Sequence, residues 1–314
     1  MHEFAERLRL SCDGFFLKRF ALPISFPKKI MKNIALSTAF LSAFLAFNVQ
    51  AADAVSGATM KVNIHGTEMP DNVDAVTSAS VVQKAYRQNV KPNGFKRNTN
   101  KVRVLFVVGD PRHESVEWDM VNTAMRHFMD KGCEVELRDL YALNWNPVIT
   151  RENFYQAKDG FGKTPEDVAI EQLMVAAADY IVFAYPNWHD TPNAMVKGYM
   201  ERVFQKQFAY RDTDKGLEGL LKDKAFFTIM NCGWIGQGRG GLGDGLNGNK
   251  IWDKYLTAFK TLDEDTAAFW GMKTLGRFCN DQTPANVSKN YEKEIKSLRA
   301  DLVRYLDKTF VYKK

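Results

Sequence analysis

Over residues 101–314, short apolar runs alternate with stretches whose apolar positions recur every three or four residues. Val102–Val108 is apolar apart from Arg103, which predicts a strand buried on both faces. Ser115–Lys131 places Val116, Met120, Val121, Ala124 and Phe128 at helical spacing, and Gly132 supplies a stop. Cys133–Leu140 alternates as a strand, and Pro165–Ala178 reads as a helix with proline near its first turn. Strands follow at Tyr180–Tyr185, Ala225–Asn231 and Met272–Cys279, and helices at Asn193–Phe208, Lys250–Leu262 and Pro284–Lys308. Strands alternating with helices predict an α/β domain with a doubly wound, five-stranded parallel sheet covered on both faces. Roughly 210 residues suffice for one core. Such sheets bind ligands beyond the carboxyl ends of their strands, at the switch in strand order. The loops in question are Gly109–Ser115, Pro186–Pro192 and Cys232–Asn249.

Upstream, the pattern changes. Residues 52–100 are polar and poor in aromatics, with turn signals at Pro70-Asp71-Asn72 and Pro92-Asn93-Gly94. They read as an exposed, flexible arm with one short helix near Val81–Gln88. Residues 1–51 hold an export signal: Ile34–Phe47 is predominantly apolar and uncharged, and Val49-Gln50-Ala51 offers a cleavage site. The apolar run is too short to span a bilayer comfortably. Met31 reads as the better translation start, the alternative being a long signal with Lys28, Lys29 and Lys32 as its basic region. A periplasmic or otherwise extracytoplasmic location follows.

Export alters the charge balance. The chain has 43 Lys+Arg against 37 Asp+Glu; residues 1–51 hold seven and three of these, leaving 36 against 34. A charge that close to neutral gives no support to nucleic-acid binding. Cleavage also removes Cys12 and leaves Cys133, Cys232 and Cys279, an odd number at no metal-like spacing. One pair can form in an oxidising compartment, and the sequence does not choose which. His113 and His189 stand beside Glu114 and Asp190, but their spacing supports no metal site.

Two copies of one pattern mark the arm: Asp53-Ala-Val-Ser-Gly-Ala-Thr59 and Asp74-Ala-Val-Thr-Ser-Ala-Ser80. Chance would produce the generic form on the order of 0.003 times in a chain of this size. The pattern resembles the acceptor site of the bacterial flavin transferase, which leaves FMN on a Ser or Thr through a phosphoester. The resemblance implies covalent FMN at Thr59, Ser80 or both, and the flavin transferase as a partner. Small neighbours suit a hydroxyl that must meet a bulky anionic donor. Asp53 and Asp74 are placed to accept N–H bonds from the residues after them.

The folded part carries a second resemblance. The runs Gly132-Cys-Glu-Val-Glu-Leu-Arg-Asp-Leu-Tyr-Ala-Leu143, Asn146-Pro-Val-Ile149 and Ala178-Asp-Tyr-Ile-Val-Phe183 resemble flavodoxin-like NAD(P)H:quinone oxidoreductases. So do Lys197-Gly-Tyr-Met-Glu-Arg-Val-Phe204 and Phe208-Ala-Tyr210, and the likeness covers roughly residues 102–308. It implies a flavodoxin-like fold, noncovalent FMN or FAD in the cleft, a quinone-like acceptor, and a homodimer. On the residues themselves, Ser115 opens a helix where orphan N–H groups favour a phosphate. Trp188 is suited to flank an isoalloxazine ring, and Asn231 to bond its edge. Pro186, Asn187, His189 and Gly233 complete the cofactor-binding set, while Lys197, Arg202 and Phe204 read as structural. No catalytic residue is identified.

Several positions depart from the family pattern. The first loop places Asp110 and Glu117 where the family has His and Asn, and each carboxylate repels a phosphate by about 1–4 kcal/mol. The Pro186–Pro192 loop is one residue short, and the fourth-strand loop lacks the family's Tyr and His. That loop instead holds eight glycines between Gly233 and Gly248, which either admit a flavin to backbone N–H groups or form a lid. Soluble NAD(P)H is a cytoplasmic reductant, so an exported relative implies a membrane or soluble electron carrier as donor. A flexible 20-residue arm would reach roughly 25 Å between carrier and cleft.

Overall fold

The computed structural model describes residues 69–70, 73–95, 99–159, 162–233, 250–281, 283–284 and 288–313. The export segment, Thr59, and residues 234–249 of the Gly-rich loop lie outside these. The described residues belong to one compact unit.

Five strands form the sheet: β1 (Arg103–Val108), β2 (Glu134–Asp139), β3 (Tyr180–Pro186), β6 (Ala225–Cys232) and β7 (Lys273–Asp281). Their order is β2-β1-β3-β6-β7, and every pair is parallel. This is the doubly wound α/β arrangement expected, with the switch point between β1 and β3. The sheet is buried on both faces, which is why its central strands read as continuous apolar runs. The lone charge of the first run, Arg103, is buried and pairs with Glu136 of β2.

One face is covered by α2 (Val116–Asp130) and α7 (Tyr291–Thr309), through Trp118, Val121, Phe128, Leu302 and Leu306. The other is covered by α1 (Ser80–Arg87), α4 (Glu166–Ala177), α5 (Ala194–Val203) and α6 (Lys250–Trp270). Helix α3 (Arg151–Asp159), a 3-10 turn at Pro92–Gly94 and the antiparallel hairpin of β4 (Tyr210–Thr213) and β5 (Gly216–Gly219) complete the described elements. Gly198 explains its place in the Lys197–Phe204 run: a Cβ there would collide with the backbone of Pro147. Arg202 anchors the same helix, bonding Asn146 O at 2.7 Å and Asp167 at 2.8 Å, and lying 4.6 Å over Trp145. Phe204 stacks on Trp270 at 3.9 Å. Lys197 departs from its expected role, pairing with Glu201 on the exposed helix surface rather than tying the helix to the sheet.

The described part of the arm differs from expectation. Residues 73–95 pack on the domain: Val82 and Ala85 are buried in the core beside α4, and Phe95 lies against the same cluster. Arg138 donates to Val76 O at 2.6 Å, and Asp139 N–H donates to Ala75 O at 3.2 Å. Arg138 is itself buried against Glu171 (2.5 Å), so the second copy of the motif is docked through a buried ion pair. A docked segment cannot sweep the distance allotted to a free one.

Candidate functional site

The carboxyl ends of β1, β3 and β6 converge at the switch point. Gly109 lets α5 approach β1 there, since a Cβ would run into Val196, and the α5 cap Asn193 bonds Gly109 O.

The β1–α2 loop is closed by charge. Asp110 is fully buried, and Arg112 grips it with Nε on Oδ1 and Nη2 on Oδ2, both at 3.0 Å. Arg112 N–H adds a bond at 3.0 Å and Ser115 Oγ donates to Oδ2 at 2.7 Å. Ser115 Oγ also accepts Trp118 N–H at 3.2 Å, making it the N-cap of α2. The hydroxyl expected to meet a phosphate is therefore committed to Asp110. Glu117 is buried behind it, with Oε2 accepting Asn231 N–H at 2.7 Å and Oε1 without a partner. Its carboxyl is pushed well above the usual carboxylate range, first by burial and then by the neighbouring Asp110.

The β3–α5 loop is arranged oppositely. Pro186 pairs with Asn231 across β3 and β6, and Asn187 N–H donates to Asn231 O at 2.8 Å. His189 and Asp190 both take left-handed conformations, φ 56° and 61°, and a bridge joins Trp188 to Thr191. Two consecutive positive φ values match a type I′ turn, which twists the chain so that it doubles back at once. Trp188 is thereby left 42% exposed. Asn187 donates to Asp190 at 3.2 Å, while its buried Oδ1 has no donor. Arg112 lies 5.9 Å from the Trp188 ring and joins the two loops.

Of the residues singled out from sequence, Ser115, Pro186, Asn187, Trp188, His189, Asn231 and Gly233 thus lie on loops and strand ends at the carboxyl edge of the sheet. Asn231 Oδ1 accepts from Asn280 Nδ2 at 2.8 Å, so that oxygen is taken up within the protein. Ser80 is exposed at the first position of α1, beside α4. Asp74 Oδ1 accepts the N–H groups of Val76 (3.0 Å) and Thr77 (2.9 Å), the turn foreseen for it. Those bonds hold its carboxyl below the usual range.

Sequence reasoning missed three groups. Asp139 holds His113 Nε2 at 2.6 Å at the cleft edge. Asp281, at the end of β7, is buried and pushed up to about 6 by desolvation. A cavity of about 900 Å³ borders Thr191 and Pro192, with walls that include Met200, Phe204, Tyr210, Leu262 and Phe269. The Lys197–Tyr210 motifs were its signal, read only as scaffold. All three described cysteines are free and buried. No group of three metal-binding side chains gathers among the described residues.

A family model described as flavodoxin-like fold matches residues 102–306. An uncharacterized NAD(P)H oxidoreductase of Haemophilus influenzae is 36% identical over 33% of this chain and 50% of its own length. NAD(P)H dehydrogenase [quinone] 1 of Rattus norvegicus is 35% identical over 43% of this chain and 54% of its own. The chain spans about half the length of these curated relatives. Among solved structures, a putative quinone reductase from Klebsiella pneumoniae superposes with a TM-score of 0.53 at 22% identity, covering 68% of this chain and 86% of that one. At that identity the likeness speaks for the fold.

Proposed function

The chain belongs to the flavodoxin-like fold family, and from that premise we propose that it is a flavin-dependent oxidoreductase of the quinone reductase type, working outside the cytoplasm. The observation that carries this reading is the exposed Trp188 face beside an unpartnered, buried Asn187 Oδ1, at the switch point of the sheet. An isoalloxazine ring fits both: it is flat and aromatic, and its ring N–H is the donor that Asn187 lacks. Trp188 orients such a ring, and the strand ends of β3 and β6 fix the distance between its contacts. A bound flavin supplies two-electron storage between a donor and an acceptor. The cavity bordering Thr191 and Pro192, mostly apolar but rimmed by Lys197, Glu201, Lys206 and Asp212, supports a quinone-like acceptor with an apolar body and polar edges.

In this reading FMN is held covalently, on Thr59 or Ser80, by the action of a flavin transferase. Support comes from the two motif copies, the exposed Ser80 and the Asp74 turn. A tethered cofactor cannot diffuse away outside the membrane, where a membrane or soluble carrier would deliver electrons. A second reading, with NAD(P)H as donor and FMN or FAD held noncovalently, is favoured by the names of the relatives. Coexpression of the full chain with the transferase, followed by denaturation and a search for flavin fluorescence on a gel, separates them. A signal lost in Thr59→Val/Ser80→Ala supports the covalent form. Flavin released on denaturation supports the second, and no flavin in either fraction overturns both.

A further inference from the structure

In folds wound this way, the loop at the switch point and the start of the helix after it receive a ligand's phosphate, because N–H donors and the helix dipole favour an anion. Here that position is already filled from within. Asp110 is fully buried and accepts Arg112 N–H, Arg112 Nε, Arg112 Nη2 and Ser115 Oγ. A phosphate would need these same donors. Trp118 Nε1 donates to Asp110 O at 2.8 Å, which fixes the residue's backbone and with it the carboxylate's place. The buried Glu117 beside it is a second carboxyl, pushed up by burial and by Asp110, with only the shared Arg112 as a nearby cation among the groups that act on it.

We infer that Asp110 is a specificity-determining residue that substitutes for the ligand's phosphate, so that the cleft accepts a flavin ring without a free phosphate monoester at this loop and turns away free FMN. The inference rests on the flavin reading above and adds the chemical form of the ligand. It reconciles two features that otherwise conflict, a ring-binding wall at Trp188 and a neighbouring loop whose anion-binding donors are already spent on Asp110. Riboflavin meets the requirement, as does FMN whose phosphate is esterified elsewhere.

The test titrates riboflavin and FMN separately into the full chain produced without the transferase, following flavin fluorescence. The wild-type chain is expected to bind riboflavin about tenfold more tightly than FMN, because the Arg112 and Ser115 donors a phosphate would use are committed to Asp110. Asp110→Asn keeps the side chain's shape, removes its charge and releases Arg112. It is expected to raise FMN affinity by at least about tenfold and to change riboflavin affinity by less than about twofold. Asp110→Ser serves the same purpose where the amide disturbs folding, and the wild-type comparison needs no variant. FMN bound more tightly than riboflavin by the wild type, or discrimination unchanged in both variants, overturns the inference and leaves the flavin reading standing. Binding of neither flavin by any of the proteins overturns both.

Discussion

The two loops that flank the cleft use their polar groups in opposite ways. In the β1–α2 loop Arg112 and Ser115 turn their donors inward onto Asp110, leaving a neutralised, self-contained knot. In the β3–α5 loop two residues sit in a conformation that L side chains avoid, and the result is an aromatic face left in solvent. Strain and exposure both cost stability, so a loop that retains them is serving something other than the fold. On the proposed reading the first loop is a stability element that excludes anions, and the second a recognition element that admits a ring.

The comparison breaks most decisively at Arg112. Its removal leaves Asp110 buried without its cation, and Arg112→Ala is expected to destabilise the fold by about 2–3 kcal/mol, less than for a fully buried pair because the guanidinium is half exposed. Urea denaturation measures this. An unchanged midpoint would show that the loop is not held by the charges it collects.

Asp281 gives the contrasting case of a buried carboxyl whose Oδ1 has no partner. Its folded pKa of about 6 lies above the ordinary 3.8, so its contribution is fully favourable below about pH 4 and is lost as pH rises through 6. Asp281→Asn removes that loss. Thermal melts should show the variant gaining on the wild type as pH goes from 4 to 7, reaching about 2 kcal/mol once solvent screening trims the roughly 3 kcal/mol that a rise from 3.8 to about 6 represents. A constant gap across that range would place the cause outside the carboxyl's titration.

Trp188→Ala reverses the pattern of Arg112. An exposed side chain contributes little to the fold, within about 0.5 kcal/mol. Loss of a stacking face should nevertheless weaken riboflavin binding by about tenfold. A tryptophan that proved important for stability and irrelevant to riboflavin would erase the distinction between the loops.

How much of this could be read from the chain follows the physics of each element. The five strands were legible because a sheet buried on both faces leaves uninterrupted apolar runs. Helix α2 was legible from its period and from Ser115, which does cap it. Helix α6 runs on to Trp270, past the expected end at Leu262, through the polar stretch Asp263-Glu264-Asp265-Thr266. Asp263 is buried there against Arg277, at 2.9 and 2.7 Å, so a residue that looks like a surface charge belongs to the interior. Helix α1 was placed nearly correctly, but its docking was not legible: Val82 and Ala85 are a small apolar stripe, and their burial depends on α4, some ninety residues later. The hairpin of β4 and β5 was missed because strands of four mostly polar residues carry little periodic signal. At the cleft, residue types were legible and partners were not. Asp110 read as a repulsive charge near a phosphate, and its pairing with Arg112 and Ser115 was not foreseen.

The smallest expected effect bears on the strain itself. His189 holds φ at 56° with its side chain exposed, and a non-glycine residue there costs on the order of 1 kcal/mol. Glycine removes that cost but has more freedom to lose on folding, so His189→Gly should gain less than about 1 kcal/mol. Asp190 is the poorer choice for this test, because its carboxylate accepts the Asn187 amide. A small rise in melting temperature with weaker riboflavin binding would show the strained turn exchanging stability for the presentation of Trp188. A fall in melting temperature would instead mean that the imidazole itself braces the loop, and the contrast between the two loops would then be one of degree.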